Sequence, residues 1–180
     1  MRDRRDREAT PDSASTAALL RGARVTLRPV TEADRPRLDA ILDEPAVARW
    51  WRRDEWRRVV TPDAITFAIE DGGEVVGMIQ YDEELDPDYR RASIDLFLTA
   101  SRHGQGLGRD AIRALARYLF AERGHHRLTM DPAVENERAV RCYTAVGFRP
   151  VGVMRQYERV ADGIYRDAWL MELVADDLEG

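Results

Sequence analysis

Ser93-Ile-Asp-Leu-Phe-Leu-Thr99 is a strand-like run that leads through the loop His103-Gly-Gln-Gly-Leu-Gly108 into an amphipathic helical segment at residues 109–123. Glycines at alternate positions let the loop turn its backbone N–H groups inward, and the positive end of the following helix points to the same place. A pyrophosphate binds well at such a helix N-terminus. The pattern therefore predicts a phosphate-bearing cofactor.

The glycine spacing by itself has other interpretations. It is equally typical of a tight turn between a strand and a helix, which carries no function. The order Gly-x-Gly-x-Gly also departs from the dinucleotide fingerprint Gly-x-Gly-x-x-Gly, and the P-loop motif is absent because the sequence contains no Lys. A nucleotide-binding domain is therefore a disfavoured alternative.

Length and composition indicate one domain. With 180 residues, of which 44% are hydrophobic and 34% charged, the chain can build one well-buried core and is short for two. Residues 1–20 are predicted to be a disordered tail, since they contain almost no large apolar groups, and residues 21–180 a single domain. No apolar run has the roughly 20 residues of a membrane span, and no secretory signal follows the Arg-rich start, so we expect a cytoplasmic protein.

Charge and cysteine content restrict the partners. The net charge of −5 argues against nucleic acid as the principal partner, because phosphate binding needs a basic surface. The single cysteine, Cys142, excludes an intramolecular disulfide and a structural zinc site of several thiolates. We expect no metal, no nucleic acid and no membrane partner, and a chain that is a monomer or a homodimer.

Hydrophobic periodicity predicts a mixed sheet flanked by helices. The first predicted helix starts at Thr31 and ends before Pro45, and a short second helix carries Trp50 and Trp51. Two further helices are predicted at 110–122 and 135–146. An acidic loop is predicted over 82–91, and the helix after the glycine loop joins two parallel strands as a β-α-β unit. This order is that of a mixed-sheet α+β domain. The predicted strands are 24–30, 64–70, 75–81, 92–99, 125–131, 148–155 and 164–174.

Two motifs of this sequence occur in the order and spacing of a known family. The first is Leu98-x-x-x-x-His103-x-x-Gly106-x-Gly108, and the second is Asn136-Glu-Arg-Ala-Val-Arg-Cys-Tyr143-Thr-Ala-Val-Gly147-Phe148. Together they resemble the acetyl-CoA-binding loop and the later helix and turn of the GCN5-related N-acetyltransferases (GNAT). The resemblance covers about residues 24–174. It implies a single-domain GNAT-like fold with a β-α-β acetyl-CoA-binding unit, acetyl-CoA as co-substrate, and an acyltransferase activity on an amine.

Further residues resemble one subgroup of that family. Trp50-Trp51, Ile94-Asp95, Asp131-Pro132 and Arg141-Cys142-Tyr143 are together similar to the aminoglycoside 6'-N-acetyltransferases. The sequence departs from the pattern in having His103 at the loop's usual Arg/Gln, and a segment 82–91 shorter than the aromatic-bearing acidic flap of that subgroup. The resemblance implies a small-molecule amine as substrate, with an aminoglycoside-like polyamine as best guess. Siderophore hydroxylamines, protein N-termini and a non-catalytic acetyl-CoA-binding module remain alternatives.

The resemblance implies a set of cofactor contacts and one catalytic acid. Tyr143 is placed at the thioester sulfur, where a phenol with a pKa of about 10 suits the protonation of a thiolate; the alternative is a core aromatic on a helix face. Cys142 is turned about 100° away from Tyr143 around the helix and has no neighbouring His, so we predict a core cysteine rather than a nucleophile. The implied cofactor-binding residues are Phe97, Leu98, His103, Gly104, Gln105, Gly106, Leu107, Gly108, Arg109, Asn136 and Tyr143.

Carboxylates are the candidates for the acceptor side. Asp95 interrupts an apolar strand and Asp131 ends the neighbouring one, so both are predicted to face one cleft, anchor an ammonium and pass its proton through water. The alternatives are an outward-facing Asp95 and a turn-initiating Asp131 before Pro132. An aromatic wall beside an acidic loop would suit a cationic amine, the alternatives being core packing and a solvated loop. The predicted further substrate contacts are Trp50, Trp51, Asp82 and Glu83.

Overall fold

Eight strands form one sheet in the part of the chain that the structure, a computed structural model, describes: residues 19–52, 65–160 and 163–178. The strands are β1 Leu20–Arg21, β2 Val25–Pro29, β3 Ile65–Asp71, β4 Glu74–Glu84, β5 Arg91–Leu98, β6 Arg127–Met130, β7 Arg149–Arg159 and β8 Tyr165–Val174. Their order in the sheet is β1-β2-β3-β4-β5-β6-β8-β7. Within this sheet β5 and β6 pair in parallel and the other neighbours pair antiparallel, which confirms the predicted mixed sheet.

Helices cover both faces of the sheet. They are α1 Arg35–Leu42, α2 Pro45–Ala48, α3 Leu107–Ala121 and α4 Glu137–Thr144. One apolar cluster joins α3 and α4 to the sheet, and a second joins α1 and α2 to its opposite face. The side chains of β4 alternate between them, because successive residues of a strand point to opposite faces: Met78 belongs to the second cluster and Ile79 to the first. The α+β fold is as predicted.

Local signals set the bounds of the first helices. The predicted helix start at Thr31 is present: a 3₁₀ turn, Glu32–Asp34, begins after Thr31 and leads into α1, and the backbone N–H of Thr31 donates to Asp34 Oδ2 at 2.8 Å. Pro45 begins α2, where its missing N–H costs nothing. The short helix was predicted to carry Trp50 and Trp51, which is wrong: α2 ends at Ala48 and both tryptophans follow it.

The acidic loop predicted over 82–91 is shorter than expected. β4 continues through Glu84, so that Asp82 pairs with Ser93 and Glu83 with Ala92, and only residues 85–90 connect the strands. Glu83 lies against the α3 side of the sheet, where its carboxylate accepts from Arg123 Nη2 at 2.8 Å and lies 2.6 Å from His125 Nε2. Composition predicted an acidic loop from residue 82 onward because the partners of Glu83 lie about forty positions away along the chain.

The β5-α3-β6 unit is confirmed, and it contains the place where the sheet opens. The parallel pairing joins only Ala92 to Leu128 and Ser93 to Thr129. The chain after β6 then turns toward β8, where Trp169 N–H donates to the carbonyl of Pro132 at 2.9 Å. Residues 94–98 and 131–133 therefore diverge and leave a V-shaped opening in the sheet.

One carboxylate holds the first of the described residues against α3. Leu20 was predicted to belong to the tail but lies buried in β1, paired with Leu27, while residues 1–18 lie outside the described residues. Asp110, in the first turn of α3, accepts hydrogen bonds from the backbone N–H groups of Ala23, Arg24 and Val25 at 2.7, 2.7 and 2.9 Å. Burial alone would raise the pKa of Asp110, but the three donors outweigh it and lower the pKa.

Asp110→Ala is expected to lower the free energy of unfolding by about 2 kcal/mol at pH 7, because three charge-assisted hydrogen bonds are lost at a partly exposed site. Since the folded-state pKa is depressed, this stabilisation is present above the unfolded pKa of about 3.9 and disappears as the pH falls through the folded value. Urea unfolding at pH 7 and pH 3 measures both effects. Glu122→Ala, an exposed acid just after α3, is the control and should change stability little. A loss for Asp110→Ala that is the same at both pH values would contradict this role.

None of the helices among residues 19–52, 65–160 and 163–178 is long and apolar enough to cross a membrane.

Candidate active site

A cavity of ≈ 780 Å³ occupies the V-shaped opening. Its walls come from the end of β5, the glycine loop, the start of α3, the segment after β6, α4 and β7. Residues from both halves of the sheet therefore meet around one space. Such a concave, partly apolar site is the usual place for a small-molecule ligand.

The glycine loop presents backbone to this cavity. Gly104 and Gly106 have φ values of +75° and +83°, a conformation that glycine adopts without strain. Gly106 is the N-cap of the 15-residue α3, so the positive end of that helix faces the cavity. At Gly108 an added Cβ would lie 3.5 Å from Cys142 Sγ, an ordinary contact distance, so α3 and α4 approach each other closely here. Backbone N–H groups and a helix N-terminus that face one cavity are groups to which an anion binds well.

His103 connects the glycine loop to β5 and to α4 through its two ring nitrogens. One ring nitrogen, Nε2, lies 2.9 Å from the carbonyl oxygen of Leu98, and the other, Nδ1, lies 2.7 Å from Arg138 Nη1. Because a guanidinium only donates, Nδ1 accepts and Nε2 carries the proton. Burial lowers the pKa of His103, and Arg138 adds to the effect, so the ring is neutral near pH 7. His103 thus holds the loop against β5 and α4 without adding charge.

The predicted cofactor contacts come together around the cavity, with one exception. Phe97, Leu98, Asn136, Tyr143, Arg109 and the loop residues His103, Gly104, Gly106, Leu107 and Gly108 all line it. Gln105 is exposed and does not line the cavity; its side-chain amide donates to the carbonyl of Ser101 at 2.9 Å. Asn136 also caps α4, since its Oδ1 accepts from Ala139 N–H at 3.2 Å.

Tyr143 reaches the cavity from α4. Its ring packs against Phe148 with 6.3 Å between ring centroids, and only 9% of the residue is exposed. Burial raises the pKa of Tyr143 well above 10, and the charges of Asp95 and Asp131 add to the shift. The phenol therefore holds its proton at neutral pH.

The neighbouring Cys142 also lines the cavity, but its thiol is a weak nucleophile. Burial raises the pKa of the Cys142 thiol to about 11, although three arginines nearby lower it in part. A thiol that keeps its proton is a poor nucleophile. This supports the prediction that Cys142 has a packing role.

Asp95 and Asp131 line the cavity from opposite sides of the opening. Asp95 lies on β5 and Asp131 directly follows β6, and both are half-buried. Their charges raise the pKa of Tyr143 and of Tyr157, which places both carboxylates near both phenols. Asp131 Oδ2 accepts a hydrogen bond from the Tyr157 hydroxyl at 2.5 Å. The predicted convergence of the two carboxylates on one cleft is present.

The predicted substrate contacts divide into two groups. Trp50 and Trp51 line the cavity; Trp51 packs edge-on against Phe97 at 5.2 Å, and the guanidinium of Arg49 lies 4.7 Å from the centre of the Trp50 ring. Arg49 thus covers the face of the Trp50 ring that was expected to contact the cationic amine.

Glu83 and Asp82 do not line the cavity. For Glu83 the prediction is wrong, because its carboxylate is turned to the α3 side of the sheet and neutralised by Arg123 and His125. Asp82 keeps an exposed surface, but neighbouring protein atoms remove part of the solvation of its carboxylate; this raises the pKa of Asp82, Arg91 opposes the increase and Asp131 adds to it. Asp82 therefore adds negative charge beside the cavity without entering it.

Several cavity residues were not predicted. Gln80 is buried with its Oε1 lacking a partner among the described residues, and its polarity within the apolar run 75–81 was a signal that could have identified it. Tyr157 and Glu158 both line the cavity, although adjacent residues of a regular strand face opposite ways. Arg166 binds Glu158 at 2.6 Å and also donates to the carbonyl of Trp50 at 3.2 Å, which joins β8 to the segment after α2.

No three His, Cys, Asp or Glu side chains are grouped so as to hold a metal ion in the described ranges.

Comparison with known proteins identifies the family. Residues 24–149 match the model of the acetyltransferase (GNAT) domain, and the chain belongs to this family. It is an acetyl-CoA-dependent N-acetyltransferase, as the two motifs predicted.

Three similar proteins have known activities or ligands. Aminoglycoside N(6')-acetyltransferase type 1 of Klebsiella pneumoniae is 32% identical over 155 residues, which cover 72% of this chain and 76% of that protein. Spermidine N(1)-acetyltransferase of Escherichia coli K12 is 24% identical, over 80% of this chain and 82% of its own length. The crystal structure of the aminoglycoside acetyltransferase AAC(6')-Ib with coenzyme A and kanamycin matches with a TM-score of 0.70 at 28% identity, covering 85% of this chain and 96% of that one.

Proposed function

We propose that this enzyme transfers the acetyl group of acetyl-CoA directly to a primary amine of a small polycationic acceptor, with an aminoglycoside as first candidate. One observation carries the proposal: Asp95 and Asp131 line the cavity from opposite sides of the opening, together with Tyr143 and the glycine loop. Two carboxylates attract a cationic acceptor to the place where an acyl group would be delivered. The similarity to aminoglycoside acetyltransferases supports this choice of acceptor.

The chain has suitable groups for the cofactor. Acetyl-CoA supplies a thioester, whose carbonyl carbon accepts the amine. The backbone N–H groups at Gly104 and Gly106 and the N-terminus of α3 would hold the pyrophosphate. The edge of β5 at Phe97 and Leu98, where pairing with β6 has ended, would take the pantetheine arm.

The acceptor must lose a proton before it attacks, because an ammonium has no lone pair. Asp95 and Asp131 would bind the ammonium through their negative charges and pass its proton to water. The amine would then attack the acetyl group directly, because the Cys142 thiol keeps its proton. As the C–S bond breaks, the phenol of Tyr143, which is also protonated, would donate its proton to the departing thiolate, and the second proton lost by the attacking nitrogen would restore the phenol.

Asp131→Asn is expected to lower kcat/KM for kanamycin by about tenfold or more, since one charge-assisted contact to the ammonium is lost. The KM for acetyl-CoA should stay the same, because Asp131 lies on the acceptor side. Thiol release from acetyl-CoA measures both parameters. Asp88→Asn, an exposed acid in the 85–90 loop, is the matched control and should change activity less than about twofold. An Asp131→Asn enzyme with wild-type kinetics would overturn the proposed acceptor site.

A linear polyamine is the second candidate acceptor, and the similarity to spermidine acetyltransferase favours it. A panel of kanamycin, spermidine, a hydrophobic monoamine and a peptide with a free N-terminus separates the candidates by kcat/KM. For either polycation, kcat/KM should fall as ionic strength rises from low to physiological values, because screening weakens the attraction. A higher value for the monoamine or the peptide would contradict a polycationic acceptor. Absence of thiol release with all four amines would show that the acceptor belongs to none of these classes.

A further inference from the structure

Strand β7 is irregular where it passes the cavity. The register with β8 shifts once between Pro150 and Gly152, is regular from Gly152 to Met154, which pairs with Ala168, and shifts again before the next pair, Glu158 with Arg166. The four residue steps from Met154 to Glu158 on β7 therefore correspond to only two residue steps on β8, from Ala168 to Arg166, so β7 carries extra residues in a bulge. Bulges of this kind re-aim side chains and are frequent beside active sites.

The bulge contains a strained residue with a dedicated anchor. Gln156 has a φ of +50° and is the one non-glycine residue in this region of φ among those described. A long side chain in the left-handed conformation persists only when its surroundings hold it there. Asp167 on β8 stabilises this conformation, because its Oδ1 accepts a hydrogen bond from the backbone N–H of Gln156 at 2.8 Å. The strain is therefore supported by a specific hydrogen bond.

The bulge changes what faces the cavity. Tyr157 and Glu158 are adjacent, yet both line it. Glu158 is engaged by Arg166 through two contacts of 2.6 Å, whereas the Tyr157 hydroxyl donates to Asp131 Oδ2 at 2.5 Å. Burial raises the pKa of Tyr157, and the Asp131 carboxylate raises it further, so this phenol remains a donor at neutral pH.

We propose that Tyr157 is a positioning residue of the reaction: its hydroxyl fixes the Asp131 carboxylate so that the second oxygen is directed to the acceptor amine, and the strained bulge held by Asp167 brings Tyr157 into place. This inference rests on the proposed role of Asp131 at the acceptor. Without the hydroxyl the carboxylate still attracts an ammonium but rotates about its bond to Cβ. The effect is therefore expected in kcat for the amine, and less in its KM.

Tyr157→Phe tests the hydroxyl while keeping the ring. We expect kcat with kanamycin to fall about tenfold, the effect of one hydrogen bond to a charged group. The KM for acetyl-CoA and the melting temperature should stay within error of the wild type. Tyr165→Phe is the control, because this half-exposed tyrosine of β8 does not line the cavity. Wild-type kcat in Tyr157→Phe would overturn the proposal, and so would equal losses on the amine and cofactor sides.

The double variant separates this inference from the proposed function. If Tyr157 acts through Asp131, then Tyr157→Phe lowers activity in the wild type but adds nothing to Asp131→Asn. Independent, additive losses would show that Tyr157 does not act through Asp131. If Asp131→Asn alone has wild-type kinetics, the proposed acceptor site fails first, whatever Tyr157 does.

The bulge is tested by variants that leave Tyr157 in the chain. Asp167→Ala removes the anchor of Gln156 and should reproduce the kcat loss of Tyr157→Phe. Gln156→Gly keeps the left-handed conformation at lower strain and should retain activity within about twofold, whereas Gln156→Val disfavours that conformation and should lose activity. Full activity in both Asp167→Ala and Gln156→Val would show that the bulge is not needed to place Tyr157.

Discussion

Gly106→Val is expected to raise the dissociation constant of acetyl-CoA about 100-fold, the equivalent of about 2.7 kcal/mol, because a β-branched residue is strained at positive φ and displaces the loop backbone. The space beside Gly106 is open, with Arg109 Nη2 as the nearest neighbour of an added Cβ at 3.5 Å. The effect therefore comes from the conformation at a φ of +83°, not from a collision in the core. Isothermal titration calorimetry with acetyl-CoA measures it.

The matched control is Gly72→Val. Gly72 also has a positive φ, +63°, with nothing within 4 Å of an added Cβ, and it lies in the hairpin between β3 and β4 away from the cavity. This variant should lose similar stability and keep its affinity for acetyl-CoA. Unchanged affinity in Gly106→Val, or equal loss in both variants, would show that the loop does not bind the cofactor through its backbone.

Tyr143→Phe is expected to lower kcat about 100-fold with little change in the dissociation constant of acetyl-CoA. A general acid contributes typically 10²- to 10⁴-fold, and an interaction made only in the transition state lowers kcat without weakening ground-state binding. The ring that packs against Phe148 is retained, so the fold should be unaffected. Steady-state kinetics together with calorimetry measure the two effects separately.

Tyr89→Phe provides the control for Tyr143→Phe. Tyr89 is 71% exposed in the loop at 85–90, so losing its hydroxyl should change neither turnover nor binding. If Tyr143→Phe weakens acetyl-CoA binding as much as it lowers kcat/KM, the hydroxyl has a binding role instead. A variant with wild-type turnover would mean that another group protonates the thiolate.

Where signals are local, the sequence was sufficient. The β5-α3-β6 unit, the helix start at Thr31 and the glycine loop follow from periodicity and from residue types within a few positions of one another. The helix N-terminus and its preceding loop are built from consecutive residues, so their geometry is decided by short-range sterics and hydrogen bonding. The two motifs also predicted the family correctly.

Predictions failed where residues far apart in sequence compete with local preference. The charges of Asp82 and Glu83 predicted an acidic loop that contacts the substrate, but Arg123 and His125 bind Glu83 on the α3 side of the sheet and the strand continues through Glu84. The tryptophans were predicted in a helix, but the chain leaves the helix at Ala48 and packs Trp51 on Phe97. In each case a long-range partner outweighs a preference worth only tenths of a kcal/mol per residue.

The sequence by itself determined the order of elements, the anion-binding loop and the residue types from which the site is built. Only the tertiary structure decided which of those residues meet: it placed Asp95 and Asp131 on opposite sides of one opening, removed Glu83 from it, and added Tyr157 through a bulge. The reason is physical. The opening exists because β5 and β6 pair over two residues and then diverge, and the bulge exists because Asp167 holds Gln156 in a strained conformation. The opening and the bulge both depend on the register between strands, which is a property of two paired segments and cannot be determined from either segment alone.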